Sequence, residues 1–377
     1  MRNNDDVIEF NCSGYLRLIL MLFLCFWAFG CPEPTGIVSA ISGFAIPAFF
    51  ILSGYYVLEN KREDRLEKTL RKIKRSALCF AFVFLLYVAI NLALIFLFHM
   101  PFETISKRRV FEFVVLNLWP LPIGDTIWFI QAMLYAYIII FVLDKLKLLR
   151  YYKLLLVVLI LIMLLTGEFA GVIRFNNILG YSYISGNWLT RALPYILIGR
   201  LMREKKKSVM KVKFWKYIIV FFIGAILVLA ELAALNLTGL MRYSGHMIGF
   251  AVMAIAACGL AISLPIGKGN RVIHFDSAIS GLIYVLMNPV YCLLVFFFLN
   301  RYTDFVDLLG GLSALLISLI FALILCGTPI GRIFFTTWDQ RLADAVVLDD
   351  DDDDDDDDNE PIQPNMPRAR APRIDPD

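Results

Sequence analysis

Ten long apolar stretches constrain this chain more than any other feature of its sequence. A helix needs about 20 apolar residues to cross a bilayer core, where no lipid-exposed backbone polar group can stay unpaired. That length picks out residues 16–30, 37–58, 77–98, 127–143, 154–166, 189–201, 217–235, 247–264, 278–299 and 308–327. With 59% hydrophobic residues overall, the chain is predicted to be an all-α integral membrane protein, a bundle of about ten transmembrane helices.

The distribution of lysine and arginine orients these helices. Cations crowd the loops that follow the second, fourth and sixth stretches, at residues 61–75, 145–153 and 200–216, and the intervening loops carry few. Cytoplasmic loops carry an excess of Lys and Arg. We therefore predict that both termini are cytoplasmic and that the chain is a multi-pass protein of the plasma (inner) membrane, with the lipid bilayer as its first partner.

The C-terminal segment has a different composition. Residues 349–358 are an unbroken run of ten aspartates, followed by a proline-rich end. The whole chain carries a formal net charge of +3, so it would carry +13 without this run. Such a composition cannot bury a core. We predict a transmembrane domain over residues 1–340 and a disordered acidic and proline-rich cytoplasmic tail over residues 341–377.

The sequence contains no spacing typical of a metal site. The seven cysteines form no CxxC pair, and the three histidines never lie within one helical turn of each other, whereas zinc sites need such clusters. The cysteines are interpreted as small hydrophobic residues. We expect no metal, no tightly bound cofactor and no nucleic-acid partner.

The second apolar stretch ends in a motif with two readings. Pro47 interrupts helical hydrogen bonding inside the membrane, and Ser53 and Gly54 permit a close approach of helices. A packing kink explains these residues as well as a functional site does. The segment also resembles the Phe-Phe-x-x-Ser-Gly-aromatic motif of the acyltransferase 3 family of bacterial membrane O-acyltransferases, matched by Phe49, Phe50, Ser53, Gly54 and Tyr55.

Three later segments resemble the same family in the same order. The segment Trp128-Phe129-Ile130, with Leu134 and Tyr135, resembles the start of its fourth helix. The segment from Leu193-Pro194 to Gly199 resembles its Phe-Pro-x-x-x-x-Gly helix, and Ser280-Gly281-Leu282-Ile283-Tyr284 resembles its late helix. The resemblance implies a membrane O-acyltransferase that moves an acyl group, expected to be acetyl, from cytoplasmic acyl-CoA to a hydroxyl of a cell-envelope carbohydrate or similar acceptor.

The resemblance implies catalytic roles for Arg17, Ser53, Tyr284 and Asn288. Arg17 matches an arginine of the family's first helix and lies near the predicted cytoplasmic start of that helix. Charged residues inside a membrane are functional candidates because burying them costs a few kcal/mol each. Arg17 could alternatively extend toward lipid head groups.

The same two helices depart from the family where it places histidines. The family's first helix carries a histidine at the acyl-transfer centre, and that position holds Ala28. Its late helix often ends in His-Pro, and here Met287 and Asn288 precede Pro289. A residue that accepts the proton of the acceptor hydroxyl needs a titratable nitrogen or carboxylate. Ala28, Met287 and Asn288 have none, so His246 is the hypothesised substitute, although a lone histidine near a membrane interface is more often structural.

Two other charged features have functional and structural readings. Glu231, near the end of the seventh stretch, could pair with Arg191 or Arg242. Residues 59–75 show opposite charges at helical spacing, which predicts a helix that continues past the membrane as a basic ledge. Its Arg71, Lys72 and Arg75 are predicted to bind the phosphates of acyl-CoA, or they attract anionic lipid.

Three functions remain open at this point. The first is the membrane acyltransferase, with acyl-CoA as donor substrate. The second is a catalytically degenerate relative that binds or passes an acyl, lipid or glycan substrate, which the missing histidines would suit. The third is an unrelated transporter, for which the repeats typical of such folds are missing from the sequence.

Overall fold

The computed structural model describes residues 12–31, 36–98, 106–117, 127–166, 187–237, 247–264, 272–298, 303–326 and 328, and this part of the chain is almost entirely helical and has no strand. Its helices are α1 (Ser13–Phe29), α2 (Ile37–Ile41), α3 (Ala45–Val57), α4 (Arg62–Phe98), α5 (Lys107–Leu116), α6 (Ile127–Lys145), α7 (Tyr152–Thr166), α8 (Leu193–Glu204), α9 (Lys206–Lys211), α10 (Phe214–Leu237), α11 (Ile248–Ser263), α12 (Val272–Phe298) and α13 (Thr303–Cys326). Within the described residues, each predicted apolar stretch lies largely on one or two of these helices. The acidic tail lies outside the described residues.

Among the described residues, five helical segments are long and apolar enough to cross a membrane: Ile37–Val57, Arg62–Phe96, Ile127–Lys145, Leu148–Leu165 and Phe214–Leu237. Shorter apolar segments are α1 (Ser13–Phe29), α11 (Ile248–Ser263), Ile279–Val295 within α12 and Gly310–Leu325 within α13. Large apolar side chains point outward, as on α10, where Phe222 and Ile226 are 61% and 66% exposed. Such faces need lipid rather than water around them, so the fold is that of an all-α membrane protein.

The second apolar stretch is broken where the sequence predicts a kink. A 3-10 turn at Ser42–Phe44 separates α2 from α3, and Pro47 lies in the first turn of α3. Proline has no N–H to donate to the carbonyl four residues earlier, which is that of Gly43. A Cβ on Gly43 would come within 2.8 Å of the Trp27 ring, so α1 packs directly against the turn.

Two glycines let α3 and α8 pack backbone against backbone. A Cβ on Gly54 would overlap the carbonyl oxygen of Ile196, and a Cβ on Gly199 would lie 2.7 Å from the backbone nitrogen of Tyr55. Small residues at such contacts allow the close approach that stabilises helix pairs in membranes. The close approach expected of Gly54 is therefore present, and its partner is the glycine of the Leu193 to Gly199 segment.

A buried ion pair joins α4 to α6 at the end that the loop charges assign to the cytoplasm. Arg65 and Asp144 are 5% and 3% exposed, and the Arg65 fork donates to both carboxylate oxygens at 2.8 and 2.9 Å. Its third nitrogen donates to the backbone carbonyls of Glu59 and Asn60, just past α3. A bidentate pair with further hydrogen bonds is the arrangement in which a buried ion pair is tolerated.

The Glu59 carboxylate extends this network to α8. It accepts hydrogen bonds from the Arg203 fork at 2.9 to 3.2 Å and from Lys68 at 2.9 Å. Arg62 adds hydrogen bonds to the carbonyls of Asp144 and Lys145 at the end of α6. Cations at helix C-termini complement the helix dipole, so one charged network fixes the ends of α3, α4, α6 and α8.

Helix α5 has no counterpart among the predicted spans. Side chains of neighbouring elements donate hydrogen bonds to its last carbonyls. Gln131 donates to the carbonyl of Phe113 at 2.8 Å, Tyr135 to that of Val114 at 2.8 Å and Trp188 to that of Val115 at 3.1 Å. The carbonyls of the last helical turn have no partner within the helix. These three side chains therefore attach α5 to α6 and to the π turn Trp188–Ala192.

Replacing Gly54 by alanine tests the close packing of α3 on α8. The added methyl group has no room, so we expect the free energy of unfolding in detergent to fall by about 1 to 3 kcal/mol. The matched control is Ala233→Leu, which adds volume at an exposed position of α10. Equal unfolding midpoints for Gly54→Ala and the wild type would contradict the described packing.

Candidate functional site

Ser53 is held by two side chains of α6. Its Oγ lies 2.8 Å from the hydroxyl oxygen of Tyr137 and 3.6 Å from the sulfur of Met133. Tyr137 is fully buried and Ser53 is half-buried. Because Met133 and Tyr137 lie one turn apart on α6, they fix the direction of the Ser53 hydroxyl. Tyr137 is a site residue that the sequence analysis does not identify.

Arg17 contacts a side chain of α3, the helix that carries Ser53. Its guanidinium carbon lies 5.3 Å from the centre of the Tyr56 ring, within the range of a cation–π contact. The Tyr56 hydroxyl in turn lies 2.6 Å from Ser13 Oγ, one turn before Arg17. Tyr56 follows Ser53 by three residues on α3, so the two share a face. Arg17 is therefore held at the Ser53 end of α3.

Tyr284 joins α12 to the same region through aromatic rings. Its ring centre lies 5.3 Å from that of Phe129, which stacks on Phe50 at 4.4 Å. Asn288, one turn further along α12, accepts a hydrogen bond from the Cys292 thiol at 3.2 Å. Segments from three helices that resemble the family thus meet at one aromatic stack, and the glycine contact brings in the fourth.

A proline in α12 explains a hydrogen bond that spans two helices. Pro289 lies inside the helix and cannot donate to the carbonyl of Val285. The buried Tyr87 hydroxyl of α4 donates to that carbonyl at 2.8 Å. The sequence offers only a weak signal for this role, a tyrosine within the apolar part of α4.

The positions where the family carries histidines hold groups that cannot take a proton. Trp27, beside Ala28, packs edge-on against Phe250 at 5.8 Å. Met287 is fully buried. His246, the hypothesised substitute, lies outside the described residues. Among the residues that the structure describes, no group of His, Cys, Asp and Glu could hold a metal ion.

Glu231 caps a helix in this structure. Its carboxylate accepts hydrogen bonds from the backbone nitrogens of Ile248 and Gly249, both at 3.2 Å, in the first turn of α11. An anionic group at a helix N-terminus is favourable. Of its two predicted partners, Arg191 stacks over the Trp128 ring at 5.3 Å, and Arg242 lies outside the described residues.

The basic ledge is the first part of α4, in one helix with the apolar span. Arg71 forms an ion pair with Glu67, one turn earlier. Lys72 and Arg75 are half-buried, and Lys72 lies on the face of α4 that carries buried Arg65. At 1.5 Å per residue, Lys72 and Arg75 lie roughly 10 to 15 Å along α4 from Arg65. The side chains of Lys72 and Arg75 are therefore partly covered by the helix bundle and not fully exposed to solvent.

A second charged contact joins α7 to α8. The Glu204 carboxylate accepts hydrogen bonds from Lys153 at 2.7 Å and from the Tyr152 hydroxyl. These two donors hold the pKa of Glu204 below its usual range. Glu204 is therefore a carboxylate at neutral pH with both oxygens engaged.

These observations define an all-α membrane protein whose four family-like segments meet around Ser53 and Phe129. The chain matches the acyltransferase 3 family, described as an acyltransferase domain, over residues 10–328. It therefore belongs to this family, which confirms the resemblance and supports an acyltransferase-type function over an unrelated transporter. No curated protein and no solved structure matches the chain.

The Tyr87 hydrogen bond can be tested by a double substitution. Tyr87→Phe leaves the Val285 carbonyl unpaired, so we expect the free energy of unfolding to fall by about 1 to 3 kcal/mol. Pro289→Ala restores an N–H for that carbonyl, and the loss caused by Tyr87→Phe should then become much smaller. Thermal unfolding of the four proteins gives the coupling energy, and a coupling of zero would contradict the proposed compensation.

Proposed function

We propose that this protein is a membrane-bound O-acyltransferase of the plasma (inner) membrane. It moves an acyl group, expected to be acetyl, from cytoplasmic acyl-CoA to a hydroxyl of a cell-envelope carbohydrate or similar acceptor. The single observation that carries the proposal is the meeting of four segments around Ser53, Phe129 and Tyr284 in a chain of this family.

The proposal includes ten membrane crossings with both termini in the cytoplasm. The alternation of cation-rich and cation-poor loops supports this topology. In this topology α10 crosses the membrane outward and α11 returns to the cytoplasm, and α12 and α13 do the same. Donor and acceptor would reach the helix bundle from opposite sides.

Reporter fusions test the topology. We expect green fluorescent protein at residue 377 to fluoresce, because it folds in the cytoplasm, and alkaline phosphatase fused after residue 104 to be active outside. A phosphatase fusion after residue 210, in a cation-rich loop, should be inactive and serves as the internal control. An active fusion at residue 210 would overturn the assigned orientation.

The proposed chemistry is the attack of an acceptor hydroxyl on the thioester carbonyl of acyl-CoA. The new oxygen–carbon bond replaces the carbon–sulfur bond, and the hydroxyl proton passes to a base and then to the departing CoA thiolate. Arg17 supplies positive charge near the carbonyl oxygen. Ser53, oriented by Tyr137, supplies a hydrogen bond at the same centre, and Tyr284 and Asn288 line its outer part.

Two groups of residues complete this proposal. Arg71, Lys72 and Arg75 bind donor phosphates, as arginine forks and lysine ammonium groups do in proteins. His246 accepts the proton, because an imidazole titrates near neutral pH. No acceptor base is available at Ala28, Met287 or Asn288.

A second candidate function follows from that same absence. A member of the family that had lost its base would still bind acyl-CoA, and would bind or pass an acyl, lipid or glycan substrate without transferring the group. The apolar surroundings of Trp27 and Met287 support this alternative. Turnover separates the two functions.

An assay of the purified protein with labelled acetyl-CoA distinguishes the two functions. We expect the wild type to release CoA and acetylate an envelope saccharide fraction. His246→Ala should lower the rate at least about 100-fold, because a positioned base typically contributes 10² to 10⁴. Lys211→Gln, at the exposed end of α9, is the control. Binding of acetyl-CoA without turnover would favour the second candidate, and an unchanged rate in His246→Ala would exclude this base.

A further inference from the structure

The Arg200 guanidinium has a buried nitrogen without a hydrogen-bond partner. Arg200 lies in the last turns of α8, directly after Gly199, and its guanidinium carbon stacks 4.2 Å from the centre of the Tyr152 ring. The side chain is half-buried. Its Nη1 is buried and has no hydrogen-bond partner. Arg203, three residues later, has its fork on Glu59.

The acidic groups near Arg200 are already engaged by other donors. Asp144 and Glu204 lie within electrostatic reach of Arg200, and so does the like charge of Arg65. Both Asp144 oxygens accept from Arg65, and the Glu204 oxygens accept from Lys153 and Tyr152. The nearby carboxylates therefore leave the Nη1 donor of Arg200 unsatisfied.

A buried charged donor without an acceptor is costly, because the interior does not replace the hydrogen bonds of water. An anion at this position would remove that cost and would also offset the repulsion from Arg65. A planar guanidinium fork matches phosphate oxygens well. A further buried hydroxyl without a partner, that of Thr69, lies one turn after Arg65 on α4.

We propose that Arg200, with the Tyr152 ring beneath it, binds a phosphate group of a ligand at the cytoplasmic end of the bundle. The identity of the ligand rests on the proposed function: it is acyl-CoA. The pyrophosphate and ribose phosphate of acyl-CoA provide enough anionic groups for Arg200 as well as for Arg71, Lys72 and Arg75. The head group of an anionic phospholipid is the other source of the same chemistry.

Ligand-induced stabilisation tests the site without requiring catalysis. The full chain in phosphatidylcholine nanodiscs is titrated with CoA, adenosine 3′,5′-bisphosphate or pyrophosphate, and the unfolding midpoint gives an apparent Kd. We expect Arg200→Gln to weaken binding of at least one of these probes about tenfold or more, as the loss of a charge-assisted hydrogen bond does. Arg200→Lys should lie between, since it keeps the charge and loses the fork.

Arg150→Gln is the matched control. Arg150 stacks at 4.6 Å over its neighbour Tyr151 and is exposed, so this variant loses the same charge and the same kind of stack at the same end of the protein. Its apparent Kd values should equal those of the wild type. Equal effects of Arg150→Gln and Arg200→Gln, or no binding of any phosphate probe to the wild type in any lipid, would overturn the inference.

Lipid composition separates the two sources of phosphate. Stabilisation of the wild type by phosphatidylglycerol, lost in Arg200→Gln and accompanied by no CoA binding, would assign the site to a lipid head group. Arg200-dependent CoA binding with no acetyl transfer would support this inference and count against the enzymatic proposal. Normal acetyl transfer together with an unchanged apparent Kd in Arg200→Gln would support the enzymatic proposal and count against this inference.

Discussion

The described structure depends on one constraint: a backbone carbonyl inside an apolar bundle needs a donor from the protein, because lipid supplies none. Pro289 frees the carbonyl of Val285, and Tyr87 reaches across from α4 to satisfy it. Each such bond fixes the register of one helix against another. The kinks and helix ends of this fold are therefore also the places where helices are joined.

The ends of the helices follow the same rule with charged donors. Arg65 satisfies carbonyls past the end of α3 while its fork holds Asp144 of α6. Arg62 satisfies the last carbonyls of α6 itself. Positive charge that the sequence analysis assigns to topology thus also has a structural task. Part of the cationic surface of α4 is therefore committed to the fold.

Within the described residues, each predicted apolar stretch is largely helical, because a run of this kind has no other way to satisfy its backbone inside a membrane. Apolar length could not place α5, whose last carbonyls depend on Gln131, Tyr135 and Trp188 far along the chain. Nor could it name the partner of Gly54, because a close approach needs two backbones and the sequence shows one at a time. The pairing of Ser53 with Tyr137 was missed for the same reason.

The arginines of the cytoplasmic end show how binding and stability oppose each other. Arg65 is buried with every nitrogen bonded, so its charge stabilises the fold and is unavailable to a ligand. Arg200 has a buried nitrogen without an acceptor and a like charge nearby, so its burial costs the folded state free energy. An anion that pairs with Arg200 removes both the unpaired donor and the repulsion between like charges. The free energy that the folded state recovers in this way adds to the affinity for the anion. A fully paired Arg200 would make a more stable protein and a weaker phosphate site.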